Sequence, residues 1–201
     1  MILRSLPPSP FGRKVKIAAS LLGLSDRIQI VPADTNDASD ILRRQNPLGK
    51  IPTLILDNGE TLFDSRVIVE YLDHLAGGGR IIPRDTEARF AALRLQALCD
   101  GIMDASILRV YEVRYRPEAI HHQPWLDYQS EKVTRAFASL EAAPPALDPM
   151  PNVGQITLAC ALGYQDLRFK GVWRESYPKL VAWLDRFAAQ VPAFAATKVE
   201  P

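Results

Sequence analysis

Cysteine and histidine are scarce in this chain. Its 201 residues include two cysteines, Cys99 and Cys160, and three histidines. The cysteines lie far apart, both within helical patterns, and no Cys/His cluster has metal-ligand spacing. They read as reduced core thiols, not as a disulfide framework, and no metal site is expected. Long hydrophobic runs are missing too: none approaches the ~20 residues of a membrane-spanning helix. The first ten residues enter a strand-like run with no signal-peptide pattern. Nor does one charge dominate. Lys and Arg number 24 against 23 Asp and Glu, a formal net charge of +1. That balance leaves no electrostatic footprint for nucleic acid or an anionic membrane surface. The expectation is a cytoplasmic protein with a small-molecule partner.

What is present is enough apolar material for a real core: 47% of residues are hydrophobic and 23% charged. The length suits one large domain or two small ones. Residues 1–6 alternate weakly and read as a strand. Pro7-Pro8-Ser9-Pro10 breaks it, with Ser9 a good N-cap and Pro10 a good first helical residue. Phe11, Val15, Ala18, Ala19 and Leu22 recur at helical spacing until Gly23. A strand is predicted over 27–31, a short helical turn over 41–45, strands over 53–56 and 61–63, with a hairpin turn at Asn58-Gly59. A helix opens at Asp64-Ser65 on the apolar face of Ile68, Tyr71, Leu72 and Leu75. The order to this point is βαβαββα. Gly77-Gly78-Gly79 then opens a linker, and every later periodic segment is helical: 90–115, 125–140, 156–169 and 178–189. The expected division is an α/β domain over 1–76, a linker over 77–84 and an all-α helical domain over 85–201.

Three features of the first domain carry chemistry. In Asn46-Pro47-Leu48-Gly49-Lys50-Ile51-Pro52 a loop turns into the start of an apolar strand. Pro52 cannot donate to a sheet ladder, belongs at the strand's first position, and is a candidate for a cis bond to Ile51. If the chain bends there, the N–H and C=O of Ile51 face outward and can pair with an extended peptide. The plainer reading is a loop entering a core strand. Asp64-Ser65 also reads two ways. It caps the third helix, or its free N–H groups hold a carboxylate while Asp64 takes a cation such as an α-amino group. Ser9 is either a helix cap or the hydroxyl that, with the helix N-terminus, stabilises a bound thiolate. Arg13, Lys14 and Lys16 crowd that helix and favour an anion. Ser9-Pro10-Phe11-Gly12 stands where a redox Cys-x-x-Cys would stand in a thioredoxin-like βαβ start. With no cysteine there, any thiol must come from a ligand.

Ser9-Pro10-Phe11 with Arg13-Lys14-Val15, the 46–52 loop, Phe63-Asp64-Ser65 with Ile68 and Tyr71-Leu72, and Ile156 to Ala161 leading to Gly163-Tyr164 follow in one order over nearly the whole length. In that order the chain resembles a bacterial-type cytosolic glutathione S-transferase. The resemblance implies a thioredoxin-like first domain, an all-helical second domain, a homodimer and glutathione as co-substrate. By the same resemblance Ser9 faces the glutathione sulfur, Pro52 is the cis-proline and Ile51 supplies backbone pairing. Lys50 lies near the glycyl carboxylate, and Asp64 and Ser65 hold the γ-glutamyl end. The pocket for a hydrophobic electrophile is built from Pro7, Pro8, Phe11, Met103, Ile107 and Tyr111, each of which also reads as core.

The chain departs from the family at several places. Asp64 stands where many members have Glu. Asn152 and Gln155 stand where Ser or Thr and Asp cap the central helix; both still suit a capping box. No tyrosine on the first strand competes with Ser9. Asp100-Gly101 falls mid-helix, where close backbone approach would explain the glycine; Asp100 is then either a solvated surface group or a contact to the partner's bound glutathione. The activity implied is attack of the glutathione thiolate on an electrophilic carbon or a peroxide. The alternative is a non-catalytic glutathione-binding or regulatory protein of the same fold. A glutathione-linked reductase would want a cysteine near position 9. Detoxification and a pathway-specific step are both compatible with these residues.

Overall fold

The computed structural model describes residues 1–199. Four short strands, β1 (Ile2–Arg4), β2 (Gln29–Val31), β3 (Thr53–Ile55) and β4 (Thr61–Leu62), form one sheet in the order β2-β1-β3-β4. β1 pairs parallel with β2, Leu3 opposite Ile30, and antiparallel with β3, Leu3 opposite Leu54. β3 pairs antiparallel with β4. Parallel pairing needs a crossover, and α1 (Pro10–Leu21) supplies it. A short α2 (Leu42–Gln45) precedes β3, and α3 (Ser65–Leu75) follows β4. The observed order is the predicted βαβαββα. The second strand is shorter at its start because Arg27 lies in a 3-10 turn over Ser25–Arg27.

Six helices follow: α4 (Thr86–Tyr115), α5 (Gln123–Ala142), α6 (Val153–Phe169), α7 (Trp173–Ser176), α8 (Pro178–Gln190) and α9 (Pro192–Ala196). α4 begins four residues before the apolar periodicity because Asp85 accepts from the Ala88 N–H at 2.9 Å and starts a polar first turn. The capping box at α6 is present. Asn152 Oδ1 accepts from Gly154 and Gln155 N–H, and Gln155 Oε1 accepts from Asn152 N–H at 2.9 Å. α6 is buried along most of its length and packs on both α1 and α4. Gly154 permits the approach, since a Cβ there would stand 2.6 Å from the Ala92 carbonyl oxygen on α4. The short α7 and α9 were not predicted; neither is long enough to show a period. Cys99 and Cys160 are buried and unpaired with each other, and burial pushes the Cys160 thiol up to about 11.

The glycine linker is pinned. The buried Asp73 carboxylate accepts from the N–H groups of Gly79, Arg80 and Ile81 at 2.7–2.9 Å. Ile81 and Ile82 drop into the core, and the Ile81 carbonyl accepts from Val153 N–H at the start of α6.

Asp100 corrects the sequence reading. It is 1% exposed, neither solvated nor free for a partner's ligand. Its Oδ1 accepts from Lys14 Nζ on α1 and its Oδ2 from Arg66 Nε on α3, both at 2.7 Å. Lys14 is fully buried and Arg66 half-exposed. A Cβ added at the neighbouring Gly101 would meet nothing of its own chain within 4 Å, so close approach within the chain does not explain that glycine. The basic cluster on α1 is likewise redirected. Lys14 serves Asp100, while Arg13 donates to the Phe194 carbonyl at 2.6 Å and to Thr197 Oγ1 at 3.2 Å, its guanidinium 4.0 Å over the Phe194 ring. Lys14 is thereby withdrawn from Ser9, whereas Arg13 still lines a cavity that Ser9 shares.

Removing one partner of a buried ion pair strands the other charge in the core, which costs about 3–5 kcal/mol. Asp100→Asn is therefore expected to lower unfolding free energy by about that amount in urea titrations. The double substitution Lys14→Met, Asp100→Leu is expected to recover most of it. A single variant as stable as wild type would show that the pair does not hold the two layers together.

Candidate active site

α1 starts against the end of β1 because residue 12 is glycine: a Cβ there would collide with Ser5 Oγ. Ser9 is the N-cap, extended at φ −75° and ψ 116°, and its Oγ accepts from the Gly12 N–H at 3.1 Å. Its carbonyl accepts from Arg13 N–H. Pro10 has no N–H. Among the described residues that leaves the Phe11 N–H as the free donor of the first turn. Because Oγ is already an acceptor, the Ser9 hydroxyl proton is free to point elsewhere.

The 46–52 loop is held from inside by Asn46, which sequence alone presents only as a turn residue. Buried to 1% exposure, it donates from Nδ2 to the Lys50 carbonyl at 2.9 Å and to Thr53 Oγ1 at 3.2 Å, and accepts from Leu48 N–H at 3.0 Å. The Ile51–Pro52 peptide is cis, as the sequence suggested. Neither the N–H nor the C=O of Ile51 has a partner among the described residues. At α3, Asp64 rather than Ser65 is the cap, accepting from Arg66 N–H at 2.7 Å. Ser65 is buried at the first helical position, and its N–H and that of Val67 lack acceptors among the described residues. The Phe63–Asp64 peptide before it is cis.

A cleft of about 760 Å³ opens between these loops and the helical layer. Ser9, Phe11, Lys50 and Ile51 line one wall; Ile107 and Tyr111 of α4 line the other. Pro52, Asp64 and Ser65 do not line it. Asp104 ties the two sets together. It lines the cleft, and burial and the Asp100 carboxylate raise its pKa while Arg66 and Lys50 oppose them. Met103 does not reach the cleft; it is fully buried in the core. Pro7 faces instead a second cavity of about 560 Å³ behind Ser9, whose charged lining residues are Arg13, Asp166, Lys170, Arg174 and Lys198.

The cleft holds residues that the sequence reading missed: Asp104, Arg114 and Tyr115 on α4, and Arg168 on α6. A signal existed on α4. Asp104, Leu108, Tyr111 and Tyr115 follow at four, three and four residues, one continuous helix face, and Arg114 lies three residues beyond Tyr111. Nothing in one-dimensional spacing brings Arg168 to that face. The described residues contain no group of three or more His, Cys, Asp or Glu side chains suited to a metal ion.

Comparison with known proteins follows the same division of the chain. Residues 8–75 match the family model for the glutathione S-transferase N-terminal domain, and residues 123–186 match its C-terminal domain. The uncharacterised GST-like protein YibF of Escherichia coli (strain K12) is 32% identical over 197 residues, 94% of each chain. A glutathione transferase family member from Pseudomonas fluorescens Pf-5, solved with bound glutathione, is 41% identical with a TM-score of 0.90, covering 100% of this chain and 98% of its own. A glutathione S-transferase from Methylobacillus flagellatus KT, also solved with glutathione, is 34% identical with a TM-score of 0.90 over 98% of both chains. A small four-stranded mixed sheet with its helices, a larger all-helical second part, and this likeness over nearly the full length make the chain a member of the cytosolic glutathione S-transferase family.

Proposed function

We propose that the chain is a glutathione transferase that binds glutathione along the Ile51 edge, stabilises its thiolate at Ser9 and delivers it to an electrophilic small molecule. The observation that carries this reading is the first turn of α1: one hydroxyl proton and one backbone N–H, from Ser9 and Phe11, without acceptors beside an open cleft. The glutathione bound in two solved relatives supports the choice of ligand. In this reading residues 1–76 form the glutathione-binding domain, joined by 77–84 to the helical domain 85–201.

The unpaired N–H and C=O of Ile51, set by Pro52, would pair with the peptide backbone of glutathione. Asp64 retains a free carboxylate oxygen for the α-amino group, and Ser65 with the α3 N-terminus takes the γ-glutamyl carboxylate. Lys50, exposed at the cleft rim, would neutralise the glycyl carboxylate. The thiol proton leaves to solvent, and the sulfur is left against Ser9 and the Phe11 N–H. A free thiol has a pKa of ~8.5, and lowering it by two units corresponds to about 2.7 kcal/mol of thiolate stabilisation. One hydrogen bond to a charged group supplies about 1.5–3 kcal/mol. The helix N-terminus adds a fixed partial positive charge. The thiolate then forms a bond to an electrophilic carbon held against Phe11, Ile107 and Tyr111, and the leaving group departs with its electron pair. With a peroxide, the same thiolate forms an S–O bond as the O–O bond breaks, the alkoxide or hydroxide leaves with the electron pair, and a second glutathione thiol displaces water from the sulfenic acid to give the disulfide.

A cytoplasmic location accords with the buried, unpaired cysteines. Among the described residues no helix is long and apolar enough to cross a membrane. A homodimer fits the outer face of α4, where Phe90, Arg94, Ala97 and Gly101 recur at helical spacing and lie exposed, Phe90 at 66%. Sedimentation at micromolar concentration is expected to give a dimer, and Phe90→Glu to shift it toward monomer. A wild-type monomer would remove the dimer from the reading.

Binding and chemistry are separable. Ser65 contacts a part of glutathione whose charge does not change, whereas Ser9 contacts the sulfur, whose charge does. Ser65→Ala is expected to weaken glutathione binding by ~1.5–3 kcal/mol with a smaller loss of kcat. Ser9→Ala is expected to leave affinity nearly intact, to raise the bound thiol's pKa by about one to two units, and to lower kcat at neutral pH with recovery at alkaline pH. Ultraviolet titration of the bound thiolate reads the shift. If wild type and Ser9→Ala titrate together and turn over alike, Ser9 is a helix cap alone. If neither turns over any electrophile while glutathione still binds, the non-catalytic alternative holds.

A further inference from the structure

The cleft carries two guanidinium groups, Arg114 and Arg168, that no carboxylate of the described residues neutralises. Arg114, on the last turn of α4, is exposed, and Arg168 comes from α6. Neither takes part in an ion pair among the described residues. The nearby acids are committed elsewhere. Asp166, two residues before Arg168, accepts from Arg174 at 2.7 and 2.9 Å and from Trp173 Nε1 at 2.8 Å. Glu112, on the other side of α4, serves Arg116 and the His122 N–H. Asp104 lines the cleft but sits ten residues from Arg114 along α4, about 15 Å away, at the end that Lys50 and Arg66 influence.

Arg168 shows more than a missing counter-charge. Its Nε is buried without a hydrogen-bond partner, while the side chain also interacts with the Tyr164 phenol and acts to lower its pKa, so only its remaining N–H groups are open to the cleft. The guanidinium carbon lies 5.9 Å from the centre of the Tyr164 ring. Tyr164 and Tyr111 also line the cleft. Burial raises both phenol pKa values, and Arg114 and Arg168 both act against that rise, so the four side chains share one electrostatic neighbourhood. Tyr115 packs edge-on against Tyr111 at 5.2 Å and donates to Asn36 Oδ1 at 2.8 Å across the cleft mouth. The result is a cationic, phenol-rimmed stretch of a cleft whose other charged lining residues are Lys50 and Asp104. A plain hydrophobic electrophile would gain nothing from it. A carboxylate suits such a stretch, because guanidinium groups bind it through a planar fork of N–H donors.

We propose that the acceptor substrate is an anion: an electrophile bearing a carboxylate, held by Arg114 and Arg168 with Tyr111 and Tyr164, its reactive carbon turned back toward Ser9. This rests on the transferase reading above and names the class of acceptor for that site. Recognition by charge also orients the acceptor, because a carboxylate fixed by the two guanidinium groups leaves only the opposite end of the molecule within reach of the sulfur.

The test uses two near-isosteric acceptors, 4-chloro-3-nitrobenzoate and 4-chloro-3-nitrobenzamide. In each, the S–C bond forms, the C–Cl bond breaks, chloride leaves with the electron pair, and the thiol proton goes to solvent. Each kcat/KM is divided by the acceptor's uncatalysed rate constant with glutathione, which removes the difference in intrinsic reactivity. The benzoate is expected to lead the benzamide by tenfold or more in the wild-type protein. That ratio is expected to fall toward one in Arg168→Gln and in Arg114→Gln, the latter an exposed position where folding is not at stake. Equal normalised rates in wild type, or a preference that survives in both variants, overturns the proposal. If neither acceptor is turned over, calorimetry with the two S-aryl glutathione conjugates decides the anion site, whatever the fate of the transferase reading. The carboxylate conjugate must bind at least tenfold tighter than the carboxamide conjugate in wild type, and must lose that margin in the variants. Equal binding rejects it.

Discussion

The carboxylate of Asp100 sits where three helices meet, and the geometry of the cleft depends on it. α4 carries it, α1 answers with a fully buried Lys14, and α3 answers with Arg66. A charge in the interior is tolerated only when its partners are fixed in place, so α1 and α3 are held at one orientation relative to the helical layer. Ser9 opens α1 and Asp64-Ser65 opens α3. In the proposed reading the ion triad therefore sets the distance between the sulfur end and the amino-acid end of bound glutathione. Asp73 adds a second constraint of the same kind, fastening the linker through three backbone N–H groups.

The candidate site is built mainly from what secondary structure leaves unpaired. The first turn of a helix has donors without acceptors, and a strand that begins at a proline leaves the preceding residue outside the ladder. Phe11, Ile51, Ser65 and Val67 supply such groups here. Few side chains are then needed, and in the proposed reading each has a separate role. Ser9 meets the charge that changes, Asp64, Ser65 and Lys50 meet charges that do not, and Arg114 and Arg168 meet the acceptor.

The βαβαββα order and the loop at Ile51-Pro52 were legible in the sequence because each follows from local rules of proline and glycine placement and helix periodicity; the cap at Asn152 and the cis bond were reached with the help of the family resemblance. The fate of the basic residues on α1 was not. Arg13, Lys14 and Lys16 read as an anion-binding cluster, yet Lys14 turns inward to Asp100 and Arg13 to the Phe194 carbonyl, partners 86 and 181 residues away in the chain. Asp100 was misread for the same reason. A charged residue in a helix looks solvated until its long-range partners are known. Arg168 escaped notice because only the packing of α6 against α4 carries it to the cleft.

In the proposed reading glutathione is held by those unpaired backbone donors. Amide chemical shifts in a two-dimensional ¹H–¹⁵N spectrum, recorded as glutathione is added, report on each donor separately. The N–H signals of Phe11, Ile51, Ser65 and Val67 are expected to move together and saturate at one ligand per chain. Saturable shifts confined to the second cavity, around Gly163, Asp166 and Arg174, with those four amides unmoved, would contradict it.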